Sequence, residues 1–143
     1  MPIDDAAAQQ ALTALIAALL DATAKGVVEG AMIVEGAAKT IAPVKTGRLR
    51  GSFRIEGPVR IGPASFMSRV GPTVAYGRIR ELGGDIRPVR AKALRWIGVE
   101  GYPIFAQLSH QVPRPYLKPG VMVSKPLYRQ LMRRRWAEAI RSV

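Results

Sequence analysis

Along residues 5–41 apolar side chains recur at helical spacing. Leu12, Leu15, Ile16, Leu19 and Leu20 share one face, and Val27, Ala31, Val34, Ala38 and Ile41 roughly continue it. The spacing predicts a helix over that span, and Asp4 and Asp5 suit the positive N-terminal end of its dipole. Gly26, Gly30 and Gly36 each cost about 1 kcal/mol relative to alanine in a helix interior, so a bend or break near 21–30 is expected. Pro43 disfavours the α region for Ala42 and stops the helix. Gly47 can take positive φ and turn the chain. From there the period changes. Leu49, Gly51, Phe53 and Ile55 alternate with Arg50, Ser52, Arg54 and Glu56, which predicts a half-buried strand over 49–57.

Beyond that switch, Gly57-Pro58 and Gly62-Pro63 bracket a loop with Arg60 at its tip, and Phe66 to Val70 reads as a second strand, hairpin-paired with the first. Ala75 to Leu82 places Tyr76, Ile79 and Leu82 at i, i+3, i+6, one or two amphipathic turns that Gly83-Gly84 ends. In residues 85–113, Ala93 to Ile97 and Ile104 to Val112 read as strands joined by a turn at 99–103, an arm or long hairpin. Arg87, Arg90, Lys92 and Arg95 make this segment strongly basic. The last helix is predicted from Ser124 as N-cap, with Pro126 in its first turn. Leu127, Leu131, Trp136 and Ile140 form its apolar stripe, widened by Tyr128, Met132 and Ala139. The expected fold class is α+β: a long N-terminal and a C-terminal helix packed on a small, mainly antiparallel sheet, with an extended basic loop or hairpin. The 143 residues fit one domain, with a helical part at 1–42, a β-rich part at 48–120 and a helix at 124–143.

The net charge of +12 is unevenly placed: residues 1–47 carry three Lys and five acids, residues 48–143 nineteen Lys or Arg and five acids. Sixteen of the twenty-two basic residues are Arg, the side chain suited to bidentate contact with carboxylate or phosphate, so the second part expects an anionic neighbour. Charge does not choose between nucleic acid and an acidic protein surface. No Cys is present, which removes disulfides and thiolate metal sites and suits a reducing cytoplasm. Asp4 and Asp5 stand where a secretory signal is basic, and Asp21, Lys25 and Glu29 interrupt the apolar run, against a membrane span. Gly26-xxx-Gly30 reads as close packing against a soluble neighbour.

Chemistry has few carriers. His110 is the sole histidine and reads as structural; no Walker-type loop or Gly-x-Gly-x-x-Gly occurs. Glu81 and Asp85 flank Gly83-Gly84 at a spacing that suits a capped turn better than acid–base work. Arg133-Arg134-Arg135 reads as the solvated back of an amphipathic helix rather than a phosphate patch. The expectation is a protein that is not an enzyme, with no catalytic residues, cofactor or metal.

Three stretches stand in order: Ala42-Pro43-Val44-Lys45-Thr46-Gly47-Arg48-Leu49-Arg50; Val70-Gly71-Pro72-Thr73-Val74-Ala75-Tyr76 leading into Arg80-Glu81-Leu82-Gly83-Gly84; and Val112-Pro113-Arg114-Pro115-Tyr116-Leu117-Lys118-Pro119-Gly120. Together they resemble the head–tail joining, or tail-completion, proteins of long-tailed bacteriophages, over roughly residues 25–143. The resemblance implies a structural virion protein at the neck or upper tail end, assembled as a ring, often six-fold in that family. The partners it implies are further copies, the tail tube protein and head-completion or connector proteins, with packaged DNA close by and no membrane. Assembly would take place in the host bacterial cytoplasm. Pro43, Thr46, Gly47, Leu49, Tyr76, Glu81, Gly83 and Pro115 are the expected fold-defining positions, and Arg60, Arg87, Arg90 and Arg95 the candidate assembly contacts. Lys45 stands where the family frequently has an acid, and Gly77 where Ala or Pro is usual. The charge supports an alternative reading, a basic DNA-binding architectural protein.

Overall fold

A computed structural model describes residues 5–143, so the expectation for Asp4 lies outside it. Helix α1 (Asp5–Ile41) runs without the expected break. The reason lies in what its glycines meet. A Cβ on Gly26 would clash with Met132 Sδ, and one on Gly30 with the Tyr128 ring, both on the last helix, α4 (Leu117–Arg141). Close packing offsets the low helix propensity of glycine, as the Gly-xxx-Gly spacing suggested. Gly120 of α4 returns the contact, its absent Cβ lying 3.0 Å from Ala38 Cα. By length and composition α1 could cross a membrane. Its residues Ala22, Gly26, Gly30, Ala31 and Ala38 are buried, and Glu29 is ion-paired with Arg135 of α4.

Helix α4 begins at Leu117, well before the expected Ser124. Ser124 is no N-cap: it is buried inside the helix and its hydroxyl donates to the Gly120 carbonyl at 2.7 Å, with Pro126 also in the interior. The buried face is Gly120, Ser124, Met132 and Ala139. Leu127, Trp136 and Ile140, the bulkier residues expected to pack, remain 52%, 42% and 56% exposed. This face packs because Met132 and Tyr128 seat over Gly26 and Gly30 of α1, while Gly120 lets α4 close on Ala38.

Residues expected to open a strand form a helical turn instead, α2 (Arg48–Gly51), entered through Gly47 at φ 75°. Strand β1 (Phe53–Arg60) follows and pairs antiparallel with β2 (Phe66–Pro72), the expected hairpin, with an irregularity between Glu56 and Val59. Arg60 is not at a loop tip. It ends β1 opposite Phe66, and its guanidinium donates to the Gly62 and Pro63 carbonyls of the turn. Helix α3 (Gly77–Leu82) stops at Gly83, φ 72°. The predicted strand over 104–112 is two strands: β5 (Pro103–Ala106) pairs with β4 (Leu94–Ile97), and β6 (Ser109–Gln111) with β3 (Gly84–Ile86). The fold is α+β, with three two-stranded antiparallel sheets among the described residues rather than one continuous sheet.

The buried core sits where α1 ends and α4 begins: Ala38, Ala42, Leu49, Phe53 and Tyr116, with the Phe53 and Tyr116 rings edge-on at 6.0 Å.

Candidate functional site

Each helix leaves its first N–H groups without intrahelical acceptors. No Ser, Thr, Asp or Asn precedes α4 at the cap position, which Tyr116 occupies without a side-chain cap. The acceptor comes from α3. Glu81 Oε2 receives the Tyr116 N–H at 2.7 Å and the Leu117 N–H at 2.9 Å, and Oε1 receives the Lys118 N–H at 2.9 Å. Burial opposes ionisation of this carboxyl, but the Tyr116, Lys118 and Leu117 amides, aided by the Lys118 charge, hold its pKa below the ordinary 4.5. A carboxylate at a helix N-terminus also meets the positive end of the dipole.

Tyr116 completes the clasp. Its hydroxyl donates to the Gly77 carbonyl at 3.0 Å, and the neighbouring Arg114 N–H donates to the Arg80 carbonyl at 2.7 Å. Burial first, then the Glu81 and Tyr76 charges, pushes the phenol up to about 12. A side chain at Gly77 would place Cβ 2.7 Å from Pro72 Cγ, and one at Gly83 would lie 2.8 Å from Pro113 Cδ. These contacts explain the local sequence: glycine is needed where α3 meets the proline-bearing segments.

The first stretch reaches the same place. Leu49 lies in the core beside Tyr116, and Arg50 Nη2 donates to the Ala42 carbonyl at 3.1 Å and the Thr40 carbonyl at 3.3 Å, closing the Pro43 turn. Pro43, Thr46 and Gly47 line a cavity of about 190 Å³ together with Tyr76, Arg80 and Arg114. Lys45 lines it too, and no carboxylate does. Three cations on one small cleft suit an anionic group, phosphate or carboxylate. All of Pro43, Thr46, Gly47, Leu49, Tyr76, Glu81 and Gly83 thus gather around this joint, and Pro115 immediately precedes Tyr116 within it.

The candidate assembly residues do not share one element. Arg87, Arg90 and Arg95 are exposed on the β3–β4 connection and β4, and none is ion-paired among the described residues. Arg60 belongs to the β1–β2 hairpin and is engaged with its own turn. The β4–β5 ribbon forms the expected arm. Val99 at its turn is fully exposed, and Tyr102 and Phe105 are 73% and 63% exposed. Gln107 Nε2 donates to the Lys92 carbonyl at 2.6 Å, tying the basic loop to the residue that follows β5.

Sequence reasoning missed the apolar arm surface. Ile97, Val99, Tyr102 and Phe105 supply enough hydrophobicity for strands, but nothing local tells whether a second layer covers them. The chemical candidates lie apart from the joint. His110 Nδ1 sits 2.8 Å from Asp85 Oδ1 across the β3–β6 pair, both exposed. Among the described residues no group of three His, Cys, Asp or Glu side chains is placed to hold a metal. In the Arg133–Arg135 run, Arg134 pairs with Glu138 at 2.8 Å and Arg135 with Glu29, which fits a helix surface stabilised by ion pairs. No protein-family model, curated protein or solved structure matches the chain.

Proposed function

We propose that this chain is a structural protein of a long-tailed bacteriophage virion, set at the neck or upper tail end. There it joins the DNA-filled head to the tail tube, or completes the tail, as a ring of copies. One observation carries the reading: three stretches far apart in sequence, the ones that resemble tail-completion proteins, meet in a single joint. Glu81 from the second caps the helix opened by the third, and Leu49 from the first packs beside Tyr116. A shared joint supports the resemblance more than three separate short matches do.

The mechanism is assembly rather than turnover. A subunit with modest affinity for each neighbour gains strength when a tube end presents several sites together. Arg87, Arg90 and Arg95 are exposed without carboxylate partners among the described residues, so they are free to meet an acidic neighbour in the ring or on the tube. Reversing all three to Glu is expected to block tail joining in the phage, while the purified variant keeps its helical circular dichroism and melting temperature. Normal virions from that variant would contradict these contacts.

A second reading, a DNA-binding architectural protein, is favoured by the arm and the loop that leads into it: the ribbon bears exposed Trp96, Tyr102 and Phe105, and Arg87, Arg90 and Lys92 precede it with Arg95 on β4. It requires sub-micromolar duplex binding whose logarithm falls steeply with log salt; weak binding above ~0.1 M salt counts against it.

A further inference from the structure

Helices α1 and α4 run antiparallel, with Gly120 at Ala38, Tyr128 at Gly30 and Met132 at Gly26. Following that register, the end of α4 comes level with residue 17 of α1, and residues 5–16 extend about 18 Å beyond it at 1.5 Å per residue. This projecting end is apolar and bare. Leu12 is 57% and Ile16 50% exposed, and between Asp5 and Asp21 the helix carries no charge. A helix apolar on most sides is normally covered.

The same protein offers a groove of matching kind. Two adjoining depressions, of about 380 and 400 Å³, share Val27, Phe66 and Tyr128 and run along the α1–α4 seam under the β1–β2 hairpin. Their floor on α1 spans Thr23 to Val34, about 16 Å, close to the projecting length. The groove is apolar, lined by Val27, Ala31, Val34, Phe66 and Val70, and the projecting end presents Leu12 and Ile16 with Leu15 half-buried beside them. The charged residues lining the groove are Lys125, Arg129 and Arg133, all basic, while among the described residues the projecting end's sole charge is Asp5. An end of one continuous helix cannot fold back onto the middle of that helix, so the fit is available between molecules alone.

We infer that the N-terminal end of α1 from one copy docks in the α1–α4–β2 groove of a second copy. This gives the ring of the preceding section a contact between subunits and rests on its premise that copies meet; the test is made in solution, so its failure leaves the virion location to be decided separately. Nucleic acid does not suit an uncharged helix, and about 18 Å of helix is short of a bilayer core of roughly 30 Å.

The experiment is sedimentation velocity of the full chain from 1 to about 100 µM, with two variants at exposed positions. Leu12→Lys combined with Ile16→Lys spoils the projecting end; Val121→Arg, at a groove-lining residue 41% exposed, obstructs the groove. The wild type is expected at multiples of 15.5 kDa and each variant as a monomer with unchanged circular dichroism. An equimolar mixture of the two variants is expected to associate again, because one supplies an intact end and the other an intact groove. A wild type monomeric throughout, variants that associate normally, or a mixture that stays monomeric would each overturn the proposal. So would a monomeric wild type that binds phosphatidylcholine vesicles through Leu12 and Ile16.

Discussion

Glu81 joins two elements with one side chain. Three backbone amides, of the cap residue Tyr116 and the first two residues of α4, converge on its carboxylate from 35, 36 and 37 positions later. Its lowered pKa sets the sign of the pH dependence: the stabilisation is complete above the unfolded value near 4.5 and is lost as pH falls through the lower folded value. Glu81→Gln is therefore expected to lower stability by about 1–2 kcal/mol at pH 7, measured by urea unfolding, with the gap to wild type closing in acid. Tyr116 acts at the other extreme. Its neutral form is favoured by folding, so that contribution is present below pH 10 and is lost as pH rises through about 12. Neither role could be read locally. In the sequence Glu81 marks a turn beside two glycines, and the amides it serves belong to a helix whose start has no capping residue of its own.

Packing between elements turns on glycine. Gly30 and Gly36 lie in the same helix, but a Cβ at Gly30 meets the Tyr128 ring and one at Gly36 meets nothing within 4 Å. Gly30→Ala is expected to destabilise by about 1–3 kcal/mol through overpacking. Gly36→Ala should stabilise by about 0.5–1 kcal/mol, because it restricts the unfolded chain and improves helix propensity. Thermal or urea unfolding of the two variants reads both signs; equal effects would remove the close approach as the reason α1 stays whole. Periodicity made both long helices, the β1–β2 hairpin and the stop at Pro43 legible. It failed where a partner decides. Leu49 and Phe53 suggested alternation, yet a helical turn brings both into one core. Bulky Trp136 and Ile140 suggested the packed stripe of α4, yet the glycines of α1 receive Met132 and Tyr128 instead. Ile104 to Val112 read as one strand, but two different neighbours divide it.

At the scale of the molecule, the acidic and basic parts of the chain take different positions. Several acids of α1 are already neutralised: Asp21 by Lys25, Glu35 by Lys39, and Glu29 by Arg135 of α4. Arg87, Arg90 and Arg95 are unpaired among the described residues and the arm's apolar side chains are exposed, so this surface is turned away from the core. The uneven charge was legible from the sequence; the identity of the exposed apolar surfaces was not, because hydrophobicity measures what can be buried and not what is. Stability of the joint and availability of the arm are separate properties, and the Arg87, Arg90 and Arg95 reversal addresses the second without touching the first. The proposed place in the virion is tested most directly by electron microscopy of particles from a phage carrying a disrupted copy of this gene. DNA-filled heads lying beside separate tails, or tails of irregular length, are the predicted result. Intact virions that fail only in DNA delivery or gene expression would contradict it.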